Sequence, residues 1–556
     1  MTDPHALDAA VVIVGGGPCG LMLAIELGRR GVRTILIDEK PGTTPNPQAN
    51  ATQARTMEHY RRLGFADEIR ALGLPADYPT DVAYFTRYAG HELARIELPA
   101  SGTARRIVKQ LSGDWSAAEL PHRCSQLFIE PVLHRHAARE RSVSLRHGVR
   151  LTGFVDRGDH VVVTAERLAD GAPMSLRAGW LVGADGARSL VRRNLGYAYM
   201  GETGAQRDFM GGRMHMLYFR APHLYDIVPH GKAWMYWAFN RDRRGFMAAI
   251  DGRSDFVFHT QLKRGEADRE ISDTRAHAML EQALGAACAV EVLGRSAWTA
   301  GFALVAERFQ RGRVLMIGDA VHLFTPSGGL GYNTGIEDAV NLGWKLAAVA
   351  NGWAAPSLLD SYEAERQPLA RRNTAFARGF AETIGIAPDP EIEDATPEGA
   401  ASRERTGAYL DRAVRAEFDI PGITFGGRYD GSPIVAGDGT PPPPDAANRY
   451  VPSACPGGRA PHAWLADGHS LYDRFGFEFT LLRLGPHAPD GLALSGAARQ
   501  LGIPLTILSV ADESVRDLYG ADPALIRPDQ IVAWRGNGVP ADAPALWRRL
   551  TGASDR

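Results

Sequence analysis

An acidic residue followed by a glycine-rich turn is the feature of this sequence that most directly suggests chemistry. Asp319 follows a short apolar run at residues 313–317, which is typical of a buried strand. Three glycines lie within residues 328–331, and residues 333–338 can begin a helix. A strand-end acid, a glycine turn and a helix N-terminus can together hold a polar ligand against backbone N–H groups. The alternative is a helix start with flexible glycines and no ligand, and this stretch alone does not decide between the two.

A second glycine pattern lies near the N-terminus, inside what the sequence predicts to be a strand–helix–strand unit. Residues 9–14 and 34–37 are apolar runs that predict strands, and the run LMLAIELGRRG between them predicts a helix. The glycines at G-x-G-x-x-G spacing are Gly15, Gly17 and Gly20. Asp38 ends the second strand, close to the ~20-residue spacing expected of a ribose-binding acid. The unit predicts a dinucleotide site, but it does not distinguish FAD from NAD.

Composition is that of an ordinary globular enzyme. The chain has 556 residues, enough for two to three domains, with 45% hydrophobic and 23% charged residues. A net charge of −2 gives no general attraction to nucleic acid. The four cysteines form no CxxC pair, so we expect neither a disulfide framework nor a metal site, and a reducing cytoplasm fits. We expect no signal peptide and no membrane span.

Three motifs in a fixed order carry a resemblance to a known family. They are GGGPCG at residues 15–20, GADGARSLVRR at 183–193 and GDAVHLFTPSGGLGYNTGIEDAVNLGWK at 318–345. QARTMEHYRRLG and RCSQLFIEPVL add to the match. The chain resembles the class A flavoprotein aromatic hydroxylases of the p-hydroxybenzoate hydroxylase and phenol hydroxylase type. It is most similar to the 2-hydroxybiphenyl 3-monooxygenase and chlorophenol hydroxylase branch.

The resemblance implies an α/β fold with a Rossmann-like FAD domain of the GR2 type. That domain would comprise residues 1–70, 116–196 and 301–387, with a β-rich substrate domain from residues 71–115 and 197–300. Runs at 214–219, 233–239 and 246–250 predict strands of the substrate domain. Residues 388–460, rich in Pro and Gly, are predicted to be a linker or wrap. Residues 461–556 resemble the thioredoxin-like domain of this branch, which would be structural and could contribute to a homodimer.

The same resemblance assigns residues to FAD. Those implied to bind the cofactor are Gly15, Gly17, Gly20, Asp38, Gln126, Asp185, Asp319, Gly331, Tyr332 and Asn333. The N-terminal residues would hold the ADP half, Asp319 the ribityl chain, and the N–H groups at 331–333 the pyrimidine end of the flavin. Asp185 could instead form an Asp-Gly turn beside a salt-bridged Arg192. NADPH or NADH would be a transient reductant without a domain of its own.

Three residues are implied to act on the substrate. Asn50 lies where some branches carry an Asp or His, and an amide cannot serve as a base; it could also be a loop residue that caps the next helix. Pro326 matches a loop proline whose carbonyl faces the substrate hydroxyl. Tyr236, in the aromatic run KAWMYWAFN, is the predicted substrate contact. His322 and His59 are more often structural, so the deprotonating group stays open.

The implied function is hydroxylation of a phenolic ring, ortho to an existing hydroxyl, with NAD(P)H and O₂ through a flavin C4a-hydroperoxide. Alternatives are an FAD oxidase or dehydrogenase, a monooxygenase acting on a polyketide or antibiotic, and a flavin-binding sensor without turnover. WMYWAF does not match the W-x-W-x-I-P motif of the related halogenases. The sequence does not identify the phenol, the choice of NADH or NADPH, a catabolic or biosynthetic role, or the oligomeric state.

Overall fold

The computed structural model describes residues 7–203, 209–263, 265–266 and 270–553. The strands within these ranges form four sheets. They are β1 (Ala9–Val14), β2 (Thr34–Asp38), β3 (Val82–Phe85), β4 (Glu92–Ile96), β5 (Val143–His147), β6 (Val149–Asp156), β7 (Val161–Arg167), β8 (Ala172–Gly183), β9 (Tyr199–Glu202), β10 (Gly212–Arg220), β11 (Met235–Ala238), β12 (Gly245–Ala249), β13 (Asp255–Gln261), β14 (Glu291–Ala300), β15 (Ala303–Ala306), β16 (Gln310–Arg311), β17 (Val314–Met316), β18 (His322–Leu323), β19 (Phe479–Leu484), β20 (Leu505–Val510), β21 (Ala524–Ile526) and β22 (Val532–Arg535).

The α-helices are distributed along the whole described chain. They are α1 (Pro18–Gly28), α2 (Ala54–Arg62), α3 (Ala66–Arg70), α4 (Ser101–Ile107), α5 (Gln126–Arg139), α6 (Leu190–Leu195), α7 (Leu224–Ile227), α8 (Asp273–Leu284), α9 (Leu330–Ala350), α10 (Asp360–Ile384), α11 (Pro397–Phe418), α12 (Pro421–Phe425), α13 (Leu492–Gln500), α14 (Glu513–Tyr519) and α15 (Ala543–Leu550). In the part of the chain described, no helix combines the length and the apolarity needed to cross a membrane.

The first sheet is built around β1, which pairs in parallel with β2 on one side and β8 on the other. Its order is β16-β17-β8-β1-β2-β5, with β6 and β7 joined through β8. β1 and β2 are almost completely buried, which explains their unbroken apolar runs. Helices α1 and α9 pack so closely that a Cβ on Gly343 would lie 2.6 Å from Cβ of Glu26. The strands predicted at residues 9–14 and 34–37 are confirmed.

The second sheet has seven strands in the order β14-β10-β13-β12-β11-β3-β4. Only the β3–β11 pair of this sheet is parallel, and β3 comes from an earlier segment of the chain. The predicted strands at 214–219, 233–239 and 246–250 are confirmed as β10, β11 and β12 with shifted ends. One face packs against Phe128 of α5 through Met216 and Val257. That face is therefore turned toward the first sheet and its helices.

The segment 388–460 differs from the predicted linker. It contains the 22-residue helix α11, whose Gly407 packs so tightly on β4 that a Cβ there would collide with the carbonyl of Leu93. The prediction averaged composition over the whole segment, and the prolines at 441–444 masked the helix-forming residues before them. The C-terminal end of α11 reaches the glycine turn at 327–329, so this segment contributes to the site described below.

The C-terminal part forms a four-stranded sheet in the order β20-β19-β21-β22. It is attached to α9 and α10 by a buried ionic network. Glu365 of α10 accepts hydrogen bonds from Lys345 Nζ at 2.6 Å and from Arg527 Nη1 at 2.7 Å. Asp529 accepts a second bond from Arg527, at 2.6 Å. The thioredoxin-like topology stays a prediction.

Candidate active site

The first glycine turn has tight packing on one side and open space on the other. Gly15 has φ +110°, and a Cβ there would collide with the carbonyl of Ala184 in the second motif. A Cβ on Gly20 would collide with the carbonyl of Gly15, so both positions require glycine. A Cβ on Gly17 would meet no atom within 4 Å. Gly17 is also the N-cap of α1, so the open side faces backbone N–H groups that suit an anion.

Asp38 is fixed at the end of β2 beside this turn. Its Oδ2 accepts a hydrogen bond from the backbone N–H of Gly16, and its Oδ1 accepts one from the N–H of Lys40 at 2.6 Å. The side chain is mostly buried and faces the glycine turn. This places the acid next to the open side of the turn, where a ribose hydroxyl could donate to it.

The second motif contacts both of the others. Asp185 Oδ2 accepts hydrogen bonds from the N–H groups of Leu190, at 2.7 Å, and Val191, at 3.1 Å. Its Oδ1 is buried and has no hydrogen-bond partner within the described ranges. Arg192 makes no salt bridge to it: the guanidinium donates to the carbonyl of Ala320 at 3.0 Å and lies over the ring of Tyr199. The salt-bridged turn considered for this motif is therefore not formed, and one oxygen of Asp185 is left for a ligand.

Asp319 lies in a 3₁₀ turn, Gly318–Ala320, immediately after β17. Its side chain is exposed, yet the surrounding protein desolvates it and raises the pKa of the carboxyl group, an effect opposed by His322. The carboxylate has no hydrogen-bond partner among the described residues. Gly318 contacts α1, since a Cβ there would lie 2.8 Å from Sγ of Cys19. Asp319 therefore lies where the first and third motifs meet.

The glycine turn after Pro326 leads directly into α9. Gly328 and Gly329 both have positive φ, 68° and 63°, which a residue with a Cβ rarely adopts. The helix begins at Leu330 rather than near Asn333 as predicted, because Gly329 is its N-cap. The backbone N–H groups at the start of an α-helix have no acceptor within the helix, so those of Gly331 and Tyr332 can meet a ligand. The hydroxyl of Tyr332 is hydrogen-bonded to that of Tyr60.

The side chain of Asn333 joins the start of α9 to the Asn50 loop. Its Oδ1 accepts hydrogen bonds from the backbone N–H of Gln53, at 2.8 Å, and from Oγ1 of Thr56, at 2.7 Å. Its Nδ2 donates to the carbonyls of Ala51, at 3.0 Å, and Gly329, at 2.6 Å. All four bonds are internal to the protein, so a ligand would meet the backbone at Asn333 rather than its side chain.

Asn50 lies in this loop without capping a helix. The N-cap of α2 is Gln53, which makes no side-chain capping bond, so the capping role considered for Asn50 is not observed. Its Nδ2 lies 3.4 Å from the carbonyl of Gln48, and its Oδ1 is buried without a partner within the described ranges. Gln126 lies beside the loop: its backbone N–H donates to the carbonyl of Ala49 at 2.7 Å, and its Nε2 donates to Glu130.

A row of aromatic side chains crosses four strands of the second sheet on the face that packs toward α5. This aromatic wall consists of Tyr84, Trp237, Phe246 and His259, which are cross-strand partners in turn. Successive ring centroids lie 5.5, 4.9 and 4.7 Å apart. The hydroxyl of Tyr84 and Nε1 of Trp237 are buried and have no partner among the residues described.

Tyr236, the predicted substrate contact, lies on the face of the second sheet that points away from α5. Its neighbours in the strand, Met235 and Trp237, point to the α5 side, so Tyr236 points to the opposite side. There it packs against Phe85 and Tyr88, is fully buried, and its hydroxyl accepts the N–H of Ala233 at 2.7 Å. The alternation was predictable, but which face met the rest of the protein was not.

Two charged residues of the site were not identified from the sequence. Glu417, at the end of α11, accepts a hydrogen bond on Oε1 from the N–H of Gly328 at 2.9 Å, and its Oε2 is buried and unpartnered within the described chain. Burial raises the pKa of Glu417 to about 7, an effect opposed by the Gly328 N–H and by Arg123. Burial also lowers the pKa of Arg123 to about 10. Nothing in the sequence around Glu417 distinguishes it from the exposed acids of α11.

The two histidines that were expected to be structural are both buried. His322 is fully buried, and its Nε2 lies 2.7 Å from Oδ2 of Asp338, which also accepts the N–H of Gly318. Arg366 donates to the other oxygen of Asp338 at 2.8 Å. Burial, with nearby arginines, holds the pKa of His59 well below its usual value. The Asp338 network fixes the turn that carries Asp319.

Comparison with known proteins gives a consistent result along the whole chain. Residues 8–377 match the family model of an FAD binding domain, and residues 453–554 match that of the C-terminal region of aromatic-ring hydroxylases. The 2,4-dichlorophenol 6-monooxygenase of Cupriavidus pinatubonensis is 30% identical, over 98% of this chain and 97% of its own. Aklavinone 12-hydroxylase RdmE of Streptomyces purpurascens is 32% identical, over 97% of each chain. The structure of the rebeccamycin biosynthetic enzyme RebC with reduced flavin has a TM-score of 0.87 and 34% identity, and the match covers 98% of this chain and 99% of that one.

Proposed function

The chain belongs to the class A flavoprotein aromatic hydroxylases, and we propose that it hydroxylates a phenolic ring ortho to an existing hydroxyl group. In this reaction NAD(P)H supplies two electrons, one atom of O₂ replaces a ring hydrogen as a hydroxyl, and the other leaves as water. The observation that carries the proposal is that the three motifs contact one another in the folded chain. Gly15 and Gly20 contact Ala184, Arg192 contacts Ala320, and Gly318 contacts Cys19.

The groups at this junction of the three motifs fit FAD. The open side of Gly17 suits the pyrophosphate, and Asp38 suits a ribose. The free Oδ1 of Asp185 and the carboxylate of Asp319 suit the polyol chain. The first turn of α9 would present N–H groups and the positive end of its dipole to the pyrimidine edge. FAD, when bound, would supply the two-electron and oxygen chemistry. The protein would hold the rings in place and exclude water.

The substrate we propose is a fused polycyclic phenol rather than a single-ring one. The aromatic wall crosses four strands, and three strand spacings of about 4.8 Å make it roughly 14 Å long. Because neighbouring rings of the wall stack on one another, they present their edges, which suit edge-to-face contact with several rings of a ligand at once. Relatives of both kinds exist, since one is named for dichlorophenol and another for aklavinone. The length of the aromatic wall therefore favours a hydroxylase that acts on a polyketide or antibiotic.

A panel of phenols tests this proposal. We expect polycyclic phenols to stimulate NAD(P)H oxidation and to yield a hydroxylated product, and single-ring phenols to do so with lower kcat/KM. An oxidase would release H₂O₂ without a new hydroxyl, and a sensor would consume no NAD(P)H. Equal kcat/KM for single-ring and polycyclic phenols would contradict the proposed preference for polycyclic substrates. It would not contradict the assignment as a hydroxylase.

Asn50 is proposed to orient the substrate hydroxyl, because its buried Oδ1 lacks a partner beside the start of α9. In Asn50→Ala we expect the ratio of product to NAD(P)H consumed to fall about 2- to 10-fold, the effect of one lost hydrogen bond, while FAD content is unchanged. A badly oriented ring lets reducing equivalents leave as H₂O₂. The neighbouring Gln48→Ala, at an exposed position, is the control. Unchanged coupling in Asn50→Ala would place this residue outside the active site.

A further inference from the structure

We infer that Glu417 accepts the proton of the substrate's phenolic hydroxyl, an inference that rests on the proposed hydroxylation. In the step, the phenolic O–H bond breaks and its electron pair stays on the substrate oxygen. The proton forms an O–H bond with Oε2 of Glu417 and is returned to solvent before the next turnover. The resulting phenolate is a more electron-rich ring, as aromatic hydroxylation requires.

The position of the carboxylate carries this inference. Oε1 is tied to the backbone N–H of Gly328, in the turn that follows Pro326 and precedes the first turn of α9. The carbonyl of Gly328 in turn accepts a hydrogen bond from Nε2 of Gln53 at 2.8 Å, which joins it to the Asn50 loop. Glu417 therefore lies where the predicted substrate-facing loops meet, with one oxygen held and the other unpartnered within the described residues.

A buried carboxylate oxygen without a donor is costly unless a ligand supplies one. Two titratable groups of the described chain interact electrostatically with Glu417, and they come from separate elements. Arg123 lies on the loop before α5, and Tyr84 of the aromatic wall lies on β3. Arg123 lies over the rings of Trp234 and Phe418, with centroid distances of 4.5 and 5.5 Å, and its Nη1 is unpartnered in the described part of the chain. The guanidinium of Arg123 could therefore stabilise the phenolate, and it forms no direct ion pair with Glu417.

The other groups of the site are poorly suited to this role. Asn50 has no basic atom, and Tyr236 lies on the far side of the sheet. His322 is held by Asp338, and burial keeps the pKa of Tyr84 well above its usual value. A carboxylate whose pKa lies near the working pH is well matched to general-base catalysis.

Glu417→Gln tests the inference, because glutamine keeps an oxygen for the Gly328 N–H and removes the proton acceptor. With a phenol that is un-ionised at the assay pH, we expect kcat for hydroxylation to fall roughly 10²-fold or more. We expect FAD content to stay unchanged. With a phenol acidic enough to be ionised already, the variant should match the wild type. Glu404→Gln, at an exposed position of the same helix, is the control.

The wild-type enzyme gives a second measurement that does not depend on how the variant folds. Hydroxylation of the un-ionised phenol should rise with pH through an apparent pKa near 7, as Glu417 loses its proton, and this limb should be absent for the acidic phenol. The assignment would be overturned if Glu417→Gln hydroxylated the un-ionised phenol at the wild-type rate. It would also be overturned if the rate rose with pH in the same way for both phenols. If the wild type hydroxylates no phenol, the proposed function fails instead.

Discussion

Replacing Asp319 by alanine should weaken FAD binding roughly 10- to 100-fold while the apoprotein folds normally. The proposed partner is a hydroxyl of the ribityl chain, and a hydrogen bond to a charged group contributes about 1.5–3 kcal/mol. The carboxylate makes no hydrogen bond within the described protein. Its pKa is raised in the folded state, so the ionised group adds no stability at neutral pH and its removal should not lower the melting temperature of the apoprotein.

The measurement is a titration of apoprotein with FAD, followed by flavin fluorescence, alongside melting curves without FAD. Asp170→Ala serves as the control, because it removes a carboxylate from an exposed ion pair with Arg167. Unchanged FAD affinity in Asp319→Ala would show that this residue does not bind the cofactor. A large loss of apoprotein stability would assign it a structural role instead.

Replacing Glu365 by glutamine should lower the free energy of unfolding by roughly 3–5 kcal/mol. Glu365 is fully buried and also accepts hydrogen bonds from Asn341, at 2.7 Å, and Ser432, at 2.6 Å. Without its charge, Lys345 and Arg527 would share the single carboxylate of Asp529 in a site from which water is excluded. Removing one partner of a buried ion pair destabilises a protein strongly, because a buried charge is left uncompensated. Replacing both partners by apolar residues costs much less.

Denaturant unfolding, monitored by the tryptophans near this junction, measures the effect. Trp344 lies beside the network, with Arg527 over its ring, so its fluorescence should report on the attachment of the C-terminal sheet. The exposed pair Arg167–Asp170 supplies the comparison, since Asp170→Asn should cost no more than about 1 kcal/mol. A loss in Glu365→Gln as small as that would contradict the account of this network.

The nucleotide-binding unit was predictable because its signals are local. β1 and β2 are buried on both faces and give continuous apolar runs, and Gly15 and Gly20 are required by contacts within or beside their own turn. The start of α9 was placed too late for a related reason. Asn333 has the side chain of a common N-cap, but it holds the Asn50 loop, and Gly329 takes the cap position.

The substrate side was less predictable because it depends on which surfaces meet in the folded chain. Period-two alternation places Tyr236 and Trp237 on opposite faces of the strand, but the sequence alone does not tell which face packs toward α5. Glu417 follows other acids of α11 in a segment that was predicted to be a linker, and its burial beside Gly328 comes from tertiary packing. Such tertiary contacts leave no pattern in one sequence.

Oxygen tracing during turnover tests the central claim most directly. The enzyme would be supplied with NAD(P)H, the best phenol of the panel and ¹⁸O₂, and product mass, NAD(P)H consumption and H₂O₂ would be measured together. We predict one ¹⁸O atom in each product ring and a product yield approaching one per NAD(P)H consumed. NAD(P)H oxidation that appears entirely as H₂O₂, or a product whose new oxygen comes from water, would contradict the assignment as a monooxygenase.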